Sequence, residues 1–167
     1  MATRTTGTAG ARVDLRAFKA GDLCELQAPI MVENMGWTYG TGANQVQVIY
    51  QDTITLADAG TDTIDLYASG TYLDVFNVDL TMTAIKFLYV KNNSADATLQ
   101  LFGGAANDLP IVADTSDIVE VPPGGIFVWA NPTAAGTVIT TNKNLKITHD
   151  GTGSDTMDVD IIAMGLD

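Results

Sequence analysis

His149 is the only histidine and Cys24 the only cysteine among 167 residues. A single histidine excludes a two-histidine metal site within one chain and leaves one candidate base for serine or cysteine chemistry. His149 lies between Leu-Lys-Ile-Thr and the turn Asp-Gly-Thr-Gly-Ser-Asp. Nothing local supplies an orienting carboxylate and a nucleophile together, so it is expected to be a strand-end residue with an exposed ring. Cys24 can form no intrachain disulfide and no thiolate cluster; without a recognisable activating neighbour it is expected to be inert.

The carboxylates are the remaining chemistry. Leu-Ala-Asp-Ala-Gly-Thr-Asp-Thr-Ile-Asp carries Asp58, Asp62 and Asp65; His-Asp-Gly-Thr-Gly-Ser-Asp-Thr-Met-Asp carries Asp150, Asp155 and Asp158. Acids interleaved with glycine suit calcium, which makes Asp58, Asp62, Asp150 and Asp155 the candidate ligands. Neither segment has the spacing of an EF-hand or a nonapeptide calcium repeat, and ordinary turns have the same composition. The expectation is therefore no metal and no cofactor. A glycosidase needs two carboxyl groups roughly 5–10 Å apart across a cleft. Here glutamates are few (Glu25, Glu33 and Glu120) and the aspartates lie mostly at turns and on outward faces. No phosphate-binding loop, dinucleotide fingerprint, zinc-protease helix or nucleophile elbow occurs, and the expectation is a protein that is not an enzyme.

The composition describes what would carry such residues. Apolar residues make up 46% and charged residues 17%, so a chain of this length is expected to bury one substantial core. The net charge of −12 repels phosphate, so nucleic acid is not an expected partner. No secretory apolar region follows Met1 and no apolar run approaches the ~18 residues of a membrane span, so a soluble chain is expected. Four of the eight bases, Arg4, Arg12, Arg16 and Lys19, lie in the first 19 residues, where Asp14 is the only acid. A cationic leader on an acidic body suggests that the two ends face different surroundings.

Residues 1–44 read as an arm or linker. Its Val13–Leu23 stretch reads as a short helix or an irregular segment, and Trp37 and Tyr39 read as aromatic anchors that dock it on its own body or on a neighbour. From Gln45 to Asp167 short Val-, Ile-, Thr- and Tyr-rich runs alternate and are separated by Gly, Asn, Asp and Pro turns, with no room for crossover helices. This predicts an all-β fold: an antiparallel β-sandwich of jelly-roll or Greek-key type, preceded by an extended arm. In Tyr72–Leu80 the alternation assigns Tyr72, Asp74, Phe76, Val78 and Leu80 to a core face; in the last strand it assigns Met157, Val159, Ile161 and Ala163. Phe87, Leu88 and Tyr89 sit in an almost unbroken apolar run, expected in a central strand or in one covered on both faces, a second subunit being one such cover. Pro122, Pro123, Gly124 and Gly125 must end one strand and turn the chain into the next, which reads as a structural corner between sheets.

Three segments, Lys86–Asp108, Ile118–Pro132 and Asn144–Gly165, together resemble small virion proteins of tailed phages: a hairpin ending in Gly-Gly, a Val-Pro-Pro-Gly-Gly corner and a Leu-Lys-Ile hairpin leading to an alternating last strand. The resemblance covers about half the chain. It implies a head decoration, or capsid cement, protein of jelly-roll-like type. Such a protein is made in the host cytoplasm, resides on the virion surface, binds the major capsid protein and forms a homotrimer, without catalytic residues. Under that reading Arg4, Arg12, Arg16, Lys19, Trp37 and Tyr39 form the capsid-binding arm, and Phe87, Leu88 and Tyr89 the oligomer interface. The alternative is a carbohydrate- or receptor-binding sandwich of a virion or tail, with Trp129 and Tyr67 as stacking platforms.

Overall fold

The computed structural model describes residues 6–8, 16–19, 26–29, 36–67, 70–103, 107–114, 116–152 and 156–167. Strands are the regular elements of these residues: β1 (Thr6–Thr8), β2 (Arg16–Lys19), β3 (Leu26–Pro29), β4 (Gly36–Tyr39), β5 (Gln45–Val46), β6 (Val48–Ala57), β7 (Thr61–Asp65), β8 (Ala84–Asn92), β9 (Leu99–Phe102), β10 (Ile118–Val121), β11 (Ile126–Ala130), β12 (Thr137–Val138), β13 (Asn144–His149) and β14 (Thr156–Leu166). None of the described residues forms a helix able to cross a membrane.

Eight of these strands make two antiparallel sheets, in the orders β11-β8-β14-β6 and β10-β9-β13-β7, with β12 pairing the start of β8. The chain changes sheet between β6 and β7, β7 and β8, β8 and β9, β10 and β11, β12 and β13, and β13 and β14. This is the wrapped connectivity of a jelly-roll sandwich. Alternation puts Met157, Val159, Ile161 and Ala163 of β14, Leu145 and Ile147 of β13, and Leu99 and Leu101 of β9 into the shared core.

The corner at Pro122–Gly125 carries the chain from the edge of one sheet to the same edge of the other. Gly124 adopts φ 69°, a conformation costly to other residues, and a Cβ on Gly125 would stand 2.8 Å from the Pro122 carbonyl oxygen. The Gly125 N–H donates to that oxygen at 2.8 Å, and Gly124 N–H donates to Ser94 O at 3.1 Å, which docks the corner on the end of β8.

Three expectations are corrected here. Arg16–Lys19 is not helical but a strand, paired antiparallel with Leu26–Pro29. Residues 72–80 form no core strand: the Asp74 carboxylate accepts from Phe76 N–H (2.8 Å) and Val78 N–H (2.9 Å), and Asn77 adopts φ 62°. That local capping folds the segment into a turn, so Phe76 and Val78 are exposed and Leu80 is buried. The apolar run of β8 is covered on both faces by its own chain. Opposite Met164 and Gly165 the register slips at a β-bulge, with Lys86 the additional residue. Ile85, Leu88 and Val90 therefore face the main core, while Phe87 faces a second, smaller cluster on the outside of the sheet.

Candidate functional site

The second cluster is where the N-terminal part of the chain meets the sandwich. The outer surface of β11-β8-β14-β6 carries the apolar row Ala130–Phe87–Met164–Ile49, then Val128–Tyr89–Ile162–Gln51, which is apolar up to its last residue, and then Ile126–Lys91–Asp160–Thr53, which is polar after its first. The other sheet shows a polar outside instead, with Thr61, Thr148, Gln100 and Glu120 in one row. An apolar outer face needs a cover, and residues 36–46 supply it. Trp37 is 2% exposed, packs edge-on to Phe87 at 6.4 Å between ring centroids, and shares a cluster with Val46 and Met164.

Trp37 thus docks its strand on its own body, one of the two placements expected of an aromatic anchor, and is buried there. Tyr39, two residues on, is exposed. β4 pairs antiparallel with β1 and parallel with β5, so the 6–8 segment hangs on the same anchor.

Lys86 is a second rivet. The bulge turns this fully buried side chain toward the β4–β5 turn, where its Nζ donates to Gly42 O and Gln45 O, both at 2.9 Å. Burial pulls its pKa below the ordinary lysine range. No carboxylate among the described residues pairs with it. Two carbonyl oxygens hold the ammonium in place and tie the turn to the sheet.

Of the four leader bases, Arg16 and Lys19 lie on β2, while Arg4 and Arg12 lie outside the described residues, as do Cys24 and Asp155. Phe87 and Leu88 are buried within the chain and cannot form a subunit interface as they stand; Tyr89 is half-buried beside the second cluster.

The aspartates separate into different tasks. Asp58 and Asp150 both approach His149 Nδ1, at 4.0 and 3.8 Å, and that nitrogen accepts from Gly151 N–H at 3.0 Å. His149 is buried, not exposed, because it continues the inward parity of Leu145 and Ile147 on β13. Asp62 is elsewhere, accepting from Tyr72 OH at 3.3 Å. Among the described residues no three His, Cys, Asp or Glu side chains converge on one point.

A cleft of about 310 Å³ opens between β6 and the 71–77 segment, lined by Tyr50, Gln51, Asp52, Thr71, Tyr72, Leu73, Asp74 and Asn77. The Tyr50 and Tyr72 rings meet edge-on at 6.0 Å, and Tyr50 OH donates to Asp52 at 3.2 Å. Burial, reinforced by the neighbouring Asp52 and Asp62, pushes both phenols above their ordinary pKa, so they remain hydrogen-bond donors. Sequence reasoning missed this cleft, because its lining comes from two segments and depends on the turn at Asp74.

Trp129 and Tyr67 do not form one platform. Trp129 lies on edge strand β11, half-buried against the core; Tyr67 follows β7 at the opposite edge, with Lys143 Nζ 5.8 Å from its ring centroid. No family model matches the chain, and no curated protein matches its sequence.

Proposed function

We propose that this protein is a non-catalytic structural component of a phage virion, docking on the outer surface of the capsid through its N-terminal segment and stabilising the shell. The partner is the major capsid protein, and a homotrimer is the stoichiometry that suits threefold positions of a capsid lattice. The observation that carries this reading is the anchorage of residues 36–46: Trp37 and Lys86 fasten to the sandwich the strand that pairs with the N-terminal chain. Tension on a bound arm would therefore pass into a rigid body instead of a free linker. The charge pattern supports it as well, since a leader with four bases can lie on an acidic surface while an acidic body keeps particles apart. Deleting residues 1–19 is expected to abolish co-sedimentation with capsids while the sandwich keeps its thermal transition; full retention would overturn the reading.

The 310 Å³ cleft favours a second reading, a carbohydrate-binding module of the virion. Its aspartates, Asn77 and Gln51 offer the polar groups that sugar hydroxyls require. Glycan-array binding that disappears on Asp52→Asn or Asp74→Asn would establish it, and an array without signal would remove it.

A further inference from the structure

The cleft between β6 and the 71–77 segment has an unspent hydrogen-bonding capacity that is mostly acceptor. Its two phenols are already committed: Tyr50 OH donates to Asp52 Oδ2 at 3.2 Å and Tyr72 OH to Asp62 Oδ1 at 3.3 Å. Asp52 Oδ1 accepts from Thr53 N–H at 2.8 Å, which leaves each oxygen of this carboxylate with a further lone pair. Asp74 is more one-sided. Phe76 N–H and Val78 N–H both go to its Oδ1, and its Oδ2 accepts no hydrogen bond among the described residues. The carboxamides of Gln51 and Asn77, which line the same cleft, also make none there.

The charge of the cleft has the same bias. Asp52 and Asp74 line it, Asp62 stands behind the Tyr72 hydroxyl, and no lysine or arginine pairs with any of them among the described residues. Lysines are engaged elsewhere: Lys143 with Asp65, Lys146 with Gly103 O, Lys86 with the β4–β5 turn. An anionic sugar would enter against this charge, whereas a ligand N–H carrying positive charge would gain a charge-assisted bond to an oxygen that has none. At about 310 Å³ the cleft lies at the small end of ligand pockets, roughly 300–1,000 Å³, and takes one ring at a time. Two neutral carboxamides beside the carboxylates suit hydroxyl groups flanking an amine, which a bare lysine side chain lacks.

We propose that this cleft selects an amino sugar, its protonated amine held by Asp74 and Asp52 and its hydroxyls by Gln51 and Asn77. The assignment rests on the carbohydrate reading of the cleft and adds to it the charge of the ligand. Cationic hexosamines bind, N-acetylated and neutral ones bind weakly, and uronic or sialic acids are excluded. It is independent of how the N-terminal segment meets a capsid.

Isothermal titration of the full chain with a glucosamine disaccharide, and with its N-acetylated, glucose and glucuronate counterparts, tests it. The glucosamine disaccharide is expected to bind about tenfold or more tighter than the N-acetylated and glucose forms, the glucuronate form to give no heat, and added salt to weaken the first alone. Asp74→Asn keeps the Oδ1 acceptor that folds the turn and removes the charge, so affinity should fall about tenfold with an unchanged circular-dichroism spectrum. Asp52→Asn should do the same, and serves if Asp74→Asn misfolds. Glu120→Gln, the same charge change on an exposed residue of the other sheet, should have no effect. Equal affinity for the N-acetylated and glucose forms would overturn the amino-sugar assignment and leave the carbohydrate reading standing; no binding of any sugar would remove both. A lysine dipeptide that binds as tightly as the sugar, or an equal loss with Glu120→Gln, would also overturn it, since the site would then read charge alone.

Discussion

Replacing Trp37 by alanine is expected to release residues 36–46 from the sandwich while leaving the main core folded. The indole is the central side chain of the outer cluster, and truncating a buried tryptophan costs about 3–5 kcal/mol in lost contact and residual cavity. That cost falls on a segment with few other ties to the sandwich, namely Asn44 N–H to Pro132 O and the two Lys86 bonds, since Thr38 N–H to Asn44 O and Gly40 N–H to Val46 O only join β4 to the chain around β5. Native-state hydrogen exchange should show it directly. At ~1.4 kcal/mol per tenfold, the amide of Asn44, which bonds across to Pro132 O, should lose roughly 10²- to 10⁴-fold protection. Val90, Leu101 and Ile161, on the strands around the main core, should keep theirs.

Phenylalanine at the same position is the control. The Trp37 Nε1–H is buried and has no hydrogen-bond partner among the described residues, so the indole carries the desolvation cost of an unmet donor. Trp37→Phe removes that donor and keeps most of the ring. The gain offsets much of the smaller volume, and the net change should stay below about 1.5 kcal/mol. Equal losses for Ala and Phe would mean that the indole nitrogen, and not the packing, holds the segment.

The strands were legible wherever burial on one face decided the side chains. Met157, Val159, Ile161 and Ala163 had no alternative inward arrangement, and Pro122–Gly125 could only end one strand and start another. What failed was alternation that a local hydrogen bond overrides. Tyr72–Leu80 has a strand's pattern, but the Asp74 carboxylate captures the N–H groups of Phe76 and Val78 before a ladder can. An Asp three residues before an Asn was the available signal. His149 failed for the opposite reason: its ring was assigned to solvent by residue type although its parity with Leu145 and Ile147 pointed inward. The docking site was half legible. Trp37 stood out as an anchor, but that Phe87 would receive it depends on a bulge at Lys86, which a continuous apolar run conceals.

Asn92 is a further residue that turn-like neighbours concealed, and changing it to aspartate is expected to be the most damaging isosteric substitution in the sandwich. It closes β8, is fully buried, and uses its whole carboxamide: Nδ2 donates to Ala97 O (2.8 Å) and Val121 O (3.0 Å), and Oδ1 accepts from Ser94 N–H (2.9 Å). Val121 ends β10 and Ala97 precedes β9, so one side chain joins the last residue of one sheet to two segments of the other. Aspartate keeps the shape but turns both donors into an acceptor facing two carbonyl oxygens, and it buries a charge. Breaking buried polar groups in this way costs about 3–5 kcal/mol, a large part of the roughly 5–15 kcal/mol that holds a domain.

The pH dependence identifies the cause. Burial beside carbonyls raises the folded pKa of the new carboxyl above its unfolded value near 3.9, so between those two pKa values the folded variant binds more protons than the unfolded chain. Its stability relative to wild type should therefore fall as pH rises from about 4, by up to about 1.4 kcal/mol per unit, and level off above the folded pKa. Below pH 4 the neutral carboxyl can donate one bond and accept another, and much of the deficit should disappear. Urea denaturation of both proteins across this range measures the difference. A deficit that does not change with pH would mean that Asn92 serves by its shape, and that the link between the sheets does not depend on its amide hydrogens.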